Sequence, residues 1–279
     1  MSTASLSQDF ITIEPGCAEK NYWADLWRYR ELFLILAWRD VSVRYKQTII
    51  GLAWAVIRPF LTMVVFTVIF GRIAALPSGG APYALMVFAA MLPWSLFSTA
   101  LGEASNSLIG NERLISKVYF PRLIIPTATL VTAFVDFLIS FVILIGLMVY
   151  YRFTPGWNII LLPVFIAMAL LASLGPGLWI TALNVKYRDF RYVIPFLVQF
   201  GLYVSPVGFS SSVIPERWRL LYNLNPLVGV IDGFRWSILG GTTSIYWPGF
   251  AMSAAIVGWF LWRGVTTFRR IERTFADLI

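Results

Sequence analysis

From Leu123 to Tyr150 the chain runs for 28 residues with one charged side chain, Asp136. About 20 consecutive apolar residues suffice for a helix to cross the hydrocarbon layer of a bilayer. Five other runs obey the same rule, at about Leu52–Phe70, Tyr83–Leu101, Ile159–Leu183, Tyr192–Phe209 and Tyr246–Trp262. The sequence is 58% hydrophobic and 13% charged, where a soluble domain carries about 25% charged residues. A soluble core cannot take up that much apolar surface, so the excess faces lipid. The expected fold is an all-α integral membrane protein with six transmembrane helices. Its expected parts are a cytoplasmic N-terminal segment, residues 1–48, and one transmembrane domain, residues 49–279.

Orientation follows from Lys and Arg, which favour the cytoplasmic side. With the N-terminus inside, the inner segments hold 16 of the 22 basic residues and the outer ones hold five; Arg58 lies inside the first run. Every loop agrees, so both termini are expected in the cytoplasm. The first twenty residues lack a basic start followed by an apolar run, which reads as no cleavable signal peptide. The net charge of +8 is scattered between apolar runs, which suits juxtamembrane anchoring rather than a nucleic-acid face. With no His and one Cys, Cys17, the chain has no His-based metal site, Cys cluster or internal disulfide. No phosphate-binding GxxxxGK[ST] loop is present, so any ATP and Mg would be bound by another chain and no cofactor is expected in this one.

Two segments between the runs are informative. Tyr22–Lys46 interleaves Trp23, Leu26, Trp27, Leu34 and Trp38 with Arg28, Arg30, Arg39 and Arg44. That pattern reads as an amphipathic helix in the cytoplasmic headgroup layer, or packed on the bundle. Val204–Gly241 is too polar and too interrupted by Pro206, Pro215 and Pro226 to span, yet too apolar for a free loop. Two short helices dipping into the outer leaflet, Glu216–Tyr222 and Leu227–Ile238, reconcile these facts; a plain outer cap is the alternative. Irregular backbone at membrane depth needs protein or a water-filled cavity around it. Asn225, Asp232 and Arg235 fall in the same outer segment.

The cytoplasmic stretch after the second run, with Asn111, Glu112, Arg113, Lys117 and Tyr119 before Pro121, mixes charged, aromatic and aliphatic residues. It suits docking into a groove on a soluble partner. Lys186, Tyr187, Arg188 and Asp189 have the same character. Arg58 is costly inside a membrane, roughly 3 kcal/mol on insertion scales. It either attracts a phosphate group at a channel mouth or snorkels to the inner surface. Asp136 is expected to be paired, with Arg58 or across helices. Trp54, Phe60, Phe66, Phe70, Phe88, Trp94 and Phe97 cluster on the first two runs. They offer flat faces for sugar rings, or face lipid as interface aromatics.

NERLISKVYFPR before the third run resembles a hallmark of type-2 ATP-binding-cassette exporters, and within them of permeases for O-antigen, capsule or teichoic-acid chains. RYKQTIIGLAWAVIRPFLTMVVFTVIFG, NVKYRDFRYVIPFLVQF and YNLNPLVGVIDGFRWSILG are similar to the same family. The resemblance implies a homodimer in the bacterial inner membrane, with two copies of a soluble ATPase subunit. It further implies a lipid-linked polysaccharide substrate, carried on undecaprenyl pyrophosphate. The amphipathic helix and Glu112–Tyr119 would then dock the ATPase, with Lys186–Phe190 as a second contact and the two outer helices closing the exit. Alternatives are an exporter of the same class for a lipid or drug, a membrane glycosyl or acyl transferase, and a proton-coupled carrier centred on Asp136.

Overall fold

The computed structural model describes residues 22–46, 49–187, 189–240, 245–272 and 275. Those residues contain helices and connecting turns and no strand. The chain opens with α1 (Tyr22–Arg28) and α2 (Arg30–Tyr45), then α3 (Ile49–Phe66), whose last turns widen into a π-helix at Thr67–Ile73. Next come α4 (Tyr83–Gly110), the single turn α5 (Glu112–Ile115), α6 (Ile124–Tyr150) and α7 (Leu162–Lys186). The series closes with α8 (Phe190–Val204), α9 (Glu216–Tyr222), α10 (Pro226–Leu239) and α11 (Trp247–Glu272).

Among the described residues, four helical stretches are long and apolar enough to cross a membrane: Val56–Ile73, Tyr83–Gly110, Ile124–Tyr150 and Trp157–Lys186. At 1.5 Å per residue, the 28 residues of α4 extend about 42 Å. Proline sits inside α3, α4, α7 and α8, as Pro59, Pro93, Pro176 and Pro195, which transmembrane helices tolerate because neighbours satisfy the freed carbonyls. The 15 residues of α8 are apolar but short, and the 26 residues of α11 are long but rich in Trp.

Helix α4 forms the centre: it packs on α6, α7 and α10, and Leu85–Ala90 is wholly buried. Helices α7 and α11 cross very closely. A methyl group at Gly175 would stand 2.6 Å from the backbone nitrogen of Leu261, and one at Gly264 would strike the carbonyl of Gly175. Small residues permit such contact, and dispersion then substitutes for a hydrophobic drive that lipid does not supply. A second, smaller core lies at the other end of the helices, where Leu36 and Ala37 of α2 join Leu108, Ile115, Ile125, Leu178 and Phe268.

The segment between α8 and α11 holds the two expected helices. Helix α9 covers Glu216–Tyr222, and α10 extends the second to Pro226–Leu239. The start of α10 is encoded locally: Asn225 accepts a hydrogen bond from the Leu227 N–H, Pro226 occupies the first turn, and Gly240 ends the helix in the left-handed conformation at φ 53°.

Candidate functional site

Three segments gather at one end of the helical body. Arg39 of α2 donates to Asn111 Oδ1 at 2.8 Å, and Asn111 in turn donates to the Ser107 carbonyl at 2.8 Å. Asn184 near the end of α7 donates to the Ser105 carbonyl of α4 at 3.0 Å. Around these anchors Glu112, Arg113, Lys117, Tyr119, Lys186, Tyr187 and Asp189 are exposed; Arg188 lies outside the described residues. The outer face of α1 and α2 presents Trp23, Trp27, Leu34, Ile35 and Trp38 to the surroundings, Trp38 at 74% exposure, while Tyr22, Leu36 and Ala37 are buried. The expected amphipathic helix is therefore packed on the bundle along one face and aromatic along the other.

Helix α1 is fastened to the far end of the chain. The Tyr22 hydroxyl donates to Glu272 Oε2 at 2.9 Å, and the Arg122 backbone N–H donates to Glu272 Oε1 at 2.7 Å. The Arg122 guanidinium also reaches the Glu272 carbonyl. Arg269 stacks over the Tyr22 ring at 4.4 Å. Burial first, and then the negative charge of Glu272 and the hydrogen bond to it, push the Tyr22 phenol above its usual range, so it stays a donor.

Asp136 is paired, as expected, but with other residues than Arg58. Arg44 bridges two carboxylates: Nη2 lies 2.7 Å from Asp136 and Nη1 2.6 Å from Glu103 of α4. The Tyr45 hydroxyl donates to Asp136 Oδ1, and burial followed by that hydrogen bond raises the Tyr45 phenol. Glu103 escaped the sequence reading because it lies beyond the end of the second apolar run. Arg58 is exposed within the first apolar run, on α3.

The aromatic set on α3 and α4 divides. Phe88, at 0% exposure, and Trp94, at 6%, are core residues of the chain itself. A methyl group at Gly201 would sit 2.8 Å from Trp94, and one at Gly208 2.6 Å from Phe70, with Phe66 also in contact. Phe66, Phe70 and Phe97 pack on the same core. Phe66, Phe88 and Trp94 are buried, while Phe70 and Phe97 pack on the core with part of each ring exposed. Phe60 remains on the surface; the Trp54 side chain lies outside the described residues. A different stripe is open instead: Tyr192, Phe196, Phe200 and Tyr203 of α8 are exposed, Tyr192 at 79%, and Phe196 and Phe200 are stacked at 6.3 Å. The spacing of four, four and three residues is helical. That signal was present in the sequence but was read only as an ordinary apolar run.

After α8 the backbone leaves the helix, and three consecutive carbonyls would be orphaned. Arg235, 1% exposed, donates Nη2 to the Val207 carbonyl at 2.9 Å and Nη1 to that of Phe209 at 2.8 Å, with Nε on the Met86 carbonyl of α4 at 3.2 Å. The Tyr83 hydroxyl takes the carbonyl between them, Gly208, at 2.7 Å. Arg235 was expected as an outer-segment residue; its role as a buried clasp was not legible. Nearby Asn225 donates to Ser205 at 2.9 Å, Pro206 is buried, Pro215 precedes α9 on the surface, and Asp232 is partly buried on α10.

Among the described residues no three His, Cys, Asp or Glu side chains form a group able to hold a metal ion. Comparison with known proteins agrees with the helical plan. The model of the family described as "ABC-2 type transporter" matches residues 31–239. The O-antigen export system permease protein RfbA of Myxococcus xanthus is 27% identical over 257 residues, covering 91% of this chain and 98% of that protein. A Klebsiella pneumoniae protein of the same name is 23% identical over 259 residues, 89% and 95% of the two chains. The inner membrane transport permease YadH of Escherichia coli K12 is 25% identical over 194 residues, 65% and 74% of the two. The matched region runs from α2, through the four long apolar stretches, to the end of α10, and the chain belongs to the ABC-2 type transporter family, as a multi-pass membrane permease and not an enzyme.

Proposed function

We propose that the chain is the permease subunit of an ATP-driven exporter that moves lipid-linked polysaccharide, of O-antigen type, out of the cytoplasm. It works as a homodimer with two copies of an ATPase subunit that binds ATP and Mg. The polymer rides on an undecaprenyl pyrophosphate lipid. The names of the two long-matching relatives support the cargo. The observation that carries the reading within the chain is the gathering at one end of α2, the Glu112–Tyr119 turn and the exposed Lys186, Tyr187 and Asp189, a surface mixed in charge. A motor subunit pressing on that end would act on α2, α4 and α7 together.

Six crossings fit the chain if α8 and α11 also span. Helix α11 is about 39 Å long. Helix α8 is about 22 Å, short of a hydrocarbon layer of about 30 Å. Ser205–Phe209 can extend it at depth, because Arg235 and Tyr83 satisfy its carbonyls. The Tyr22–Glu272 contact joins the start of α1 to the end of α11, which favours both termini on the cytoplasmic side. Helices α9 and α10 then form the outer gate. The aromatic stripe of α8 suits a sugar chain, since stacking on a ring face selects no hydroxyl pattern. Arg58, exposed on α3, would attract a pyrophosphate head.

The test is co-expression with an ATP-binding-cassette ATPase in cells that build the lipid-linked polymer. Surface polymer is expected only when both subunits are present and the ATPase is active. Export by the permease alone in reconstituted vesicles would overturn the reading. At Arg58, Lys should export better than Gln or Ala; equal export by all three removes its phosphate role.

A further inference from the structure

A polar cavity of about 220 Å³ lies at the end of the helical body opposite the Tyr22–Glu272 contact. Ser211, Arg219, Tyr222, Asp232, Arg235 and Tyr246 stand in its wall. Tyr246 lies just before α11, whose far end carries Glu272. None of these groups takes part in the coupling end or the aromatic stripe.

The wall is only partly occupied with itself. Asp232 shares this wall with Ser211, Arg219 and Arg235, and a carboxylate has about four acceptor positions. Arg235 holds three carbonyls, and a guanidinium carries five N–H donors. Arg219 donates Nε to the Ile214 carbonyl at 3.2 Å and Nη2 to the Ser212 carbonyl at 3.4 Å, with Nη1 4.0 Å from Glu216, fewer contacts than its five N–H groups could make. Acceptors and donors therefore face one small space, with two tyrosine rings beside them. An anion entering there meets the Asp232 carboxylate. A cation meets two guanidinium groups. An apolar group leaves the polar wall unpaired, which costs about 1–3 kcal/mol for each lost partner. A neutral polyol ring suits all of it, since each hydroxyl both donates and accepts and the ring's C–H face can lie on tyrosine. The cavity has room for one sugar ring.

We propose that this cavity binds a single neutral sugar ring, a unit of the exported chain caught between α9 and α10 as it leaves. Assigning the ring to the exported chain rests on the export function proposed above; the binding itself does not. A held unit would keep the emerging chain from sliding back while the coupling end resets.

The permease–ATPase complex in lipid nanodiscs would be titrated by saturation-transfer NMR with glucose, galactose, mannose, rhamnose and N-acetylglucosamine, and in a parallel arm with inorganic phosphate. At least one pyranose should saturate with a dissociation constant in the millimolar range. Asp232→Asn and Tyr246→Ala should each weaken that binding at least tenfold at unchanged melting temperature. Should Asp232→Asn melt early, Tyr246→Ala at the rim decides. No saturable sugar, phosphate binding in its place, or unchanged binding in the informative variants would overturn the site. Surface polymer measured in the same strains separates the two ideas: export without sugar binding removes only this site, and sugar binding without export removes only the export reading.

Discussion

At the scale of single residues, charge buried near the membrane decides most of what is specific here. Arg44 serves Asp136 and Glu103 at once, and Asp136 is the less exposed of the two carboxylates. Arg44→Ala should lower stability by about 2 kcal/mol, less than the roughly 3–5 kcal/mol of a fully buried broken pair because the arginine is partly solvated. Adding Asp136→Asn removes the stranded charge, so the double variant should melt above the single one; a thermal-shift series in detergent checks the order. Tyr22 makes a prediction in pH. Its folded phenol holds the proton more tightly than the unfolded one, which titrates near about 10. The contribution is therefore complete below about pH 10 and disappears as pH climbs beyond it. Melting measured from pH 7 to 11 should fall at the alkaline end, and Tyr22→Phe should flatten that fall. That Asp136 needs a partner was legible from its place in an apolar run. That the partner is Arg44 was not, because nothing local tells that α2 lies along α6 92 residues later.

Elements were legible where lipid sets the rule. A run of apolar residues long enough to cross is best satisfied as a helix, so α6 and α7 coincide with their expected runs to within a few residues, while α4 starts as expected and continues nine residues beyond Leu101. The rotation of each helix was not legible. Phe88 and Trp94 face inward because α4 is surrounded by α6, α7 and α10, and an all-apolar helix carries no stripe that announces its buried side. The Gly175–Gly264 crossing between α7 and α11 is likewise a matter of three-dimensional fit. Gly264→Ala should prevent the two helices from closing, with a loss of 2 kcal/mol or about that from overpacking. Gly258→Ala, in the same helix with open space around it, should leave the melting temperature unchanged. At the outer end, Arg235→Met removes the donors from three carbonyls and should cost about 3 kcal/mol or more, whereas Arg235→Lys should retain part of that loss. Denaturation in detergent, read by circular dichroism, distinguishes the four variants.

As a whole, the molecule has two ends joined by α4, α7 and α11, which the proposed function assigns to coupling and to an outer gate. The coupling end carries exposed Arg113 and Lys117, and reversing both to Glu should reduce co-purification of the ATPase at least fivefold while leaving the melting temperature of the permease unchanged. An equal loss of stability would mean that the turn is structural. The outer end carries the carbonyl clasp and the gate helices, and its plan was half legible: the prolines announced broken backbone, but not the guanidinium that makes it tolerable. The Tyr22–Glu272 contact has one more consequence. During synthesis the first helix emerges 250 residues before the carboxylate that fastens it. A nascent chain thus cannot fasten α1 until α11 has been made. If the ATPase docks at this end, as proposed above, its recruitment should favour polypeptides that already carry α11.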